Sequence, residues 1–173
     1  MPLRPDEIIV VDYDPAWPAR YEKERARIAE ALQHVGVAIE HVGSTAVPGL
    51  AAKPIIDIMI GVREQADGDR CVEPLEAIGY EYRGEGDIPG RLHFRRGDPR
   101  SHHLHLVERH SDFWKGHILF RNLLREDADV ARQYEALKRE LAVTYRTQRL
   151  EYTKAKTPFI EAAMAQAKKR RRP

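Results

Sequence analysis

Cysteine is almost absent from this chain: of 173 residues only Cys71 carries a thiol. That excludes an intrachain disulfide and any zinc site built from cysteines, and it makes a reducing, cytoplasmic setting the expectation. Long hydrophobic runs are also lacking. The apolar run near the N-terminus, Ile8 to Val11, is four residues, far short of a secretion-signal core or a membrane span, so no membrane association is expected. Nor is there a surplus of charge of one sign. The 29 Lys and Arg against 27 Asp and Glu leave a formal net charge of +2, so bulk electrostatics name no partner and nucleic acid is not indicated. The one local excess, Lys168-Lys169-Arg170-Arg171-Arg172, reads as a solvated helix end. Repeats, low-complexity linkers and composition breaks are missing too, and a single domain over 1–173 is expected.

The residues that are present pattern as a mixture of strands and helices. A short strand is expected at 8–11. Asp14-Pro15 then marks a helix over 15–35, with Trp17, Tyr21, Ile28, Leu32 and Val35 on one face. A β-prone stretch at 37–42 follows, and the nearly unbroken apolar run at 55–62 is typical of a central strand buried on both faces. A crossover helix is predicted at 69–79, a strand at 80–83, and antiparallel strands at 92–96 and 102–107 joined through Gly97-Asp98-Pro99. From 111 onward the pattern turns helical: Val130, Tyr134, Leu137, Leu141 and Tyr145 recur at helical spacing, and Thr157-Pro158 marks the start of a last helix. The expected fold is α/β (α+β), a mixed β-sheet flanked by helices, with the helical C-terminal third packed on the same domain.

Three features point to chemistry. Gly43, Ser44 and Thr45 form a turn leaving the 37–42 strand, where backbone N–H groups and hydroxyls suit phosphate. Beyond Lys53, Asp57 stands inside the apolar strand. A carboxylate there is costly unless it is bound to a cation, paired with Lys53 or paired with an arginine. In His102-His103-Leu104-His105 strand alternation sends His103 and His105 to one face, where they could hold a transition metal or act as acid, base or phosphate ligand. Around these stand Lys53, Arg91, His93 and Arg95, with Arg91, His93 and Arg95 sharing a strand face, and later Tyr152, Lys154 and Lys156. Arginines bind phosphate bidentately and a tyrosine can stack on a base. A second carboxylate two residues after Asp57 would complete a metal pair, and Met59 stands there.

The stretch from His41 to Ile58, HVGSTAVPGLAAKPIIDI, resembles the signature of GrpB-like proteins, a group within the nucleotidyltransferase superfamily. Further blocks agree: Gly79 to Glu85, Ile88 to Arg91, His102 to His105, and Tyr152 to Lys156. The resemblance implies a minimal nucleotidyltransferase fold with the Gly-Ser turn holding nucleotide phosphates. It also implies a divalent metal, for which Asp57 matches one of the superfamily's carboxylates while His103 or His105 stands where a later acid is expected. Imidazoles favour zinc or manganese over magnesium at such a site. GrpB-like domains also occur fused to dephospho-CoA kinase, which implies nucleotide or coenzyme A metabolism. Three functions are open on these residues. One is a metal-dependent nucleotidyltransferase using Asp57, His103 and His105. The second is a non-catalytic module binding a nucleotide, another phosphorylated small molecule or a partner. The third is a metal-dependent hydrolase centred on the histidines.

Overall fold

In the computed structural model, which describes residues 7–171, a five-stranded sheet carries helices on both faces. Its strands are β1 (Ala38–Val42), β2 (Ile56–Val62), β3 (Glu81–Tyr82), β4 (Leu92–Arg96) and β5 (His102–Glu108), in the spatial order β1-β2-β5-β4-β3. β2 and β5 run parallel, while the other neighbouring pairs are antiparallel. Helices α1 (Trp17–Ala31) and α2 (Gln65–Ala77) cover one face. On the other face lies α3 (Asp112–Glu126), with α4 (Ala128–Thr144) and α5 (Arg149–Arg170) packed against it. The mixed sheet and the helical C-terminal third are as the sequence pattern predicts.

Alternation along the strands divides the interior. Ile56, Ile58, Ile60 and Val62 of β2 join Phe94, Leu104 and Leu106 against Trp17 and Ile28 of α1, Leu32 just after it and Leu75 of α2. Ile58, Ile60, Phe94 and Leu104 are fully buried, each contributing about 1.5–3 kcal/mol. Residues one step along point the other way, so Met59 packs with Val42, Val107 and Trp114 of α3. Gly61 lets that indole lie on the strand, because a Cβ there would stand 2.6 Å from the ring. On the α1 side one carboxylate is buried: Glu24 accepts from Tyr80 Oη at 2.8 Å, Arg96 at 2.9 Å and Arg27 at 3.0 Å, tying α1 to the sheet.

Several boundaries differ from expectation, each for a non-local reason. The segment at 8–11 forms no strand beyond a bridge between Val11 and Ala52; Ile8 N–H donates to the Arg146 carbonyl instead. α1 starts at Trp17 because Asp14 closes a turn first, accepting from Ala16 N–H at 2.8 Å, and it ends at Ala31 rather than 35. α2 begins four residues early, at Gln65, whose N–H donates to Glu108 Oε1 at the end of β5; this cap is invisible locally. α5 begins at Arg149, so Tyr152, Lys154 and Lys156 are helical and Pro158 sits inside the helix. Burial of Tyr152, Phe159 and Ile160 outweighs the hydrogen bond that the proline removes. In the basic tail Arg170 pairs with Asp127 and Arg171 with Glu126, and Arg172 lies outside the described residues. No helix among the described residues is long and apolar enough to cross a membrane.

Candidate functional site

Strand register assembles the site. Across the parallel pair Asp57 stands opposite His103 and Met59 opposite His105, and across β4 His93 stands opposite His105. Asp57 Oδ1 lies 3.4 Å from His103 Nδ1 and 3.9 Å from His105 Nε2, so its close partners are imidazoles rather than Lys53 or an arginine. Burial acts to raise the Asp57 carboxyl, but the contacts from His103 and His105 together outweigh it and hold the group below the usual carboxylate range. His103 is pushed below the ordinary imidazole value by burial, with Asp57 opposing. A carboxylate therefore sits beside a neutral His103 at neutral pH.

The Gly-Ser turn closes over this carboxylate. Gly43 has φ +73°, and a Cβ on it would stand 2.6 Å from Asp57 Oδ2, so only glycine fits both the backbone and the approach. The turn amides of Ala46 and Val47 are used internally, donating to the Gly43 and Ser44 carbonyls. Cations reach the turn from the C-terminal helices. Lys138 of α4 donates to Ser44 Oγ at 2.8 Å and to the Ala51 carbonyl, with its ammonium 4.9 Å from the Tyr134 ring centre. Burial, reinforced by Lys156, pushes Lys138 down to about 7. The Tyr152 ring carries two ammonium groups, Lys53 at 5.2 Å and Lys156 at 4.6 Å. Burial lowers Lys53, and burial with Lys53 nearby brings Lys156 to about 8.

These groups line a cleft of about 600 Å³ and a smaller cavity of about 120 Å³ behind the turn. Its lining combines cationic side chains, among them Lys53, Arg91, Arg149 and Lys156, with apolar ones, Phe113, Phe120, Ile160 and Met164. Three buried side-chain nitrogens on residues that line the cleft, Arg91 Nε, His105 Nδ1 and Arg149 Nη1, have no hydrogen-bond partner.

Of the residues predicted from sequence, Gly43, Ser44, Lys53, Asp57, Arg91, His103, His105, Tyr152 and Lys156 all border these cavities. Thr45 borders the smaller one, with its hydroxyl 2.9 Å from His41 Nε2. His93 lies behind, stacked on His105 at 5.2 Å; burial pushes it down to about 3. Arg95 and Lys154 stand apart: Arg95 pairs with Glu81 at 2.7 Å and Lys154 with Glu151 at 3.8 Å. Sequence reading missed Lys138, Tyr134 and Arg149. Lys138 had a signal, since it follows Tyr134 by one helical turn on the apolar face of α4.

The residues present do not fit a pair of divalent metals. Met59, at the second carboxylate position, is fully buried among Val42, Val107 and Trp114. Asp57 has Oδ1 facing imidazoles and Oδ2 against Gly43. Among the described residues no group of three or more His, Cys, Asp and Glu side chains is arranged to hold a metal ion.

Comparison with known proteins agrees with this architecture. A UPF0157 protein of Pseudomonas aeruginosa is 41% identical over 168 residues, spanning 94% of this chain and 68% of its own length. The crystal structure of the conserved protein GrpB from Enterococcus faecalis superposes with a TM-score of 0.84 at 38% identity, covering 94% of this chain and 98% of that one. The structure of Cid1 in complex with the UTP analogue UMPNPP is similar at a TM-score of 0.53 and 12% identity, over 77% of this chain and 42% of that one. At that identity the likeness concerns the fold alone, which is nucleotidyltransferase-like. With the family model for GrpB protein matching residues 7–166, the chain belongs to the GrpB family.

Proposed function

We propose that this protein binds a nucleotide or another phosphorylated small molecule in the cleft, with phosphate at the Ser44 end and the remainder along Phe113, Phe120, Ile160 and Met164. The observation that carries the reading is the trio of buried, unpartnered nitrogens on Arg91, His105 and Arg149. Leaving such groups unpaired costs about 1–3 kcal/mol each, more for charged ones, and an anionic ligand removes that cost. The apolar side chains in the lining support a ligand with a planar or hydrophobic body. Thermal unfolding with a panel of nucleoside mono-, di- and triphosphates and coenzyme A precursors, all with Mg²⁺, tests it. At least one should raise Tm saturably, and Ser44→Glu should abolish the rise. No response from any member, or an unchanged response in Ser44→Glu, refutes the reading.

A second reading adds nucleotidyl transfer. The fold likeness to Cid1, a poly(U) polymerase, and the strand-borne Asp57 support it. It predicts pyrophosphate release from a nucleoside triphosphate with Mg²⁺, Mn²⁺ or Zn²⁺, lost in Asp57→Asn; silence under all three ions counts against it.

A further inference from the structure

The phosphate end of the cleft differs from a metal-bridged site in where its positive charge is stored. Six cationic side chains line the two cavities; Arg121 is paired with Glu40, and the other five are Lys53, Arg91, Lys138, Arg149 and Lys156. They come from separate parts of the chain: the loop before β2, the start of β4, α4 and α5. They are held in place. Lys138 is 3% exposed and fixed by Ser44 Oγ and the Ala51 carbonyl. Lys53 and Lys156 are fixed over one tyrosine ring, and Arg91 also reaches the Glu85 carbonyl at 3.3 Å. Burial, and after it the neighbouring ammonium groups, disfavours charge on Lys138 and Lys156 in the free protein. Burial that disfavours charge in the free protein becomes attraction once a polyanion enters.

The carboxylate side of the site points the same way. A magnesium ion bridging protein and phosphate needs oxygen ligands in near-octahedral array. Asp57 offers Oδ2 to a glycine backbone too close to admit even a Cβ and Oδ1 to two imidazoles. Met59 cannot substitute, being a thioether in a closed apolar cluster.

We infer that the cleft takes a di- or triphosphate group without a bridging divalent metal, its charge met by Lys53, Arg91, Lys138, Arg149 and Lys156. This rests on the proposed phosphate site and specifies it further: one phosphate cannot engage cations entering from so many elements, whereas a chain of two or three can. The imidazoles of His103 and His105 then serve to hold Asp57 ionised as a countercharge that favours the charged forms of Lys53 and Lys156.

Calorimetric titration of the full chain with inorganic tripolyphosphate, pyrophosphate and orthophosphate tests the inference, each with EDTA and again with Mg²⁺. Tripolyphosphate should bind in EDTA, and Mg²⁺ should leave the affinity unchanged or weaken it by shielding the anion. Orthophosphate should bind at least about tenfold more weakly. Lys156→Ala and Arg149→Ala should each weaken tripolyphosphate by about tenfold or more, the loss of one hydrogen bond to a charged group, with circular dichroism unchanged. Either variant failing to fold leaves the other, and the EDTA comparison on the wild type, as the deciding measurement. Binding that appears only with Mg²⁺ overturns this inference while leaving the phosphate site standing. Absence of binding in every condition overturns both, and equal affinity for orthophosphate and tripolyphosphate overturns the polyphosphate assignment.

Discussion

Replacing Lys138 by methionine should stabilise the protein near neutral pH, and the gain should vanish in alkali. Lys138 is 3% exposed, and burial carries its pKa from the ordinary lysine value of 10.5 down to about 7. Since the folded value lies below the unfolded one, the unfolded chain binds the extra proton between these limits, and wild-type stability rises with pH across that window. At pH 7 the folded protein bears a cost of about 4 kcal/mol from this group, and at pH 9.5 about 1 kcal/mol. Methionine fills a similar volume and carries no such term. It leaves the Ala51 carbonyl without its lysine donor, a loss of about 1–3 kcal/mol that does not depend on pH. The net expectation is a gain of about 1–3 kcal/mol at pH 7 that shrinks by about 3 kcal/mol on going to pH 9.5. Urea unfolding of both proteins at the two pH values measures this difference directly, with the pH-independent loss cancelling. Parallel stability profiles would refute the argument, since they would mean that Lys138 is solvated and carries no burial cost. Under the proposed function the same variant should lose phosphate affinity, so that stability and binding move in opposite directions.

Acid should act through His41, which is 7% exposed and which burial holds down to about 4. The folded state disfavours its proton, so stability falls as pH drops from 6.5 to 4, by about 3 kcal/mol for this group. In His41→Phe, which keeps the stack on Tyr21, the slope of stability against pH over this range should flatten; an unaltered slope would place the acid sensitivity elsewhere. Gly43→Ala and Gly36→Ala can be compared, since both glycines have positive φ, +73° and +72°, but only Gly43 has an Asp57 contact at 2.6 Å, with an extended ψ of −174° besides. Both should lose about 1–3 kcal/mol to backbone strain, and Gly43→Ala should show a further drop in Tm together with lost ligand binding. Equal losses would mean that the turn does not rest on the carboxylate.

Much of the sheet was legible because its determinants are local. The apolar run around Ile58 and the alternation in His103-Leu104-His105 needed only strand periodicity to read. The glycine before Ser44 and the aspartate in the strand were visible as an unusual pair. What was hidden depended on residues far apart in sequence. Glu108 caps α2 from the end of β5, and burial carries α5 through Pro158, where local rules place a start. Lys138 belongs to the site only because α4 passes behind the turn, 94 positions away from Ser44. Arg95 looked equivalent to Arg91 by strand face, yet Glu81 on the neighbouring edge strand claims it. No local property of Arg95 distinguishes these outcomes.

The parallel pairing of β2 with β5 also governs when the cleft can exist at all. Residues 63–101 separate the two strands, and closing so long a segment costs about 3 kcal/mol of chain entropy before any ladder bond repays it. Asp57 meets His103 only after that closure, and Arg149 and Lys156 arrive from the final helix later still in order of synthesis. A nascent chain on the ribosome therefore carries no cleft until Lys156 has emerged, and a refolding chain assembles one only once its most non-local contacts are in place. A bound polyanion would thus act as a reporter of folding through α5, protecting a chain folded that far and none that stops before it.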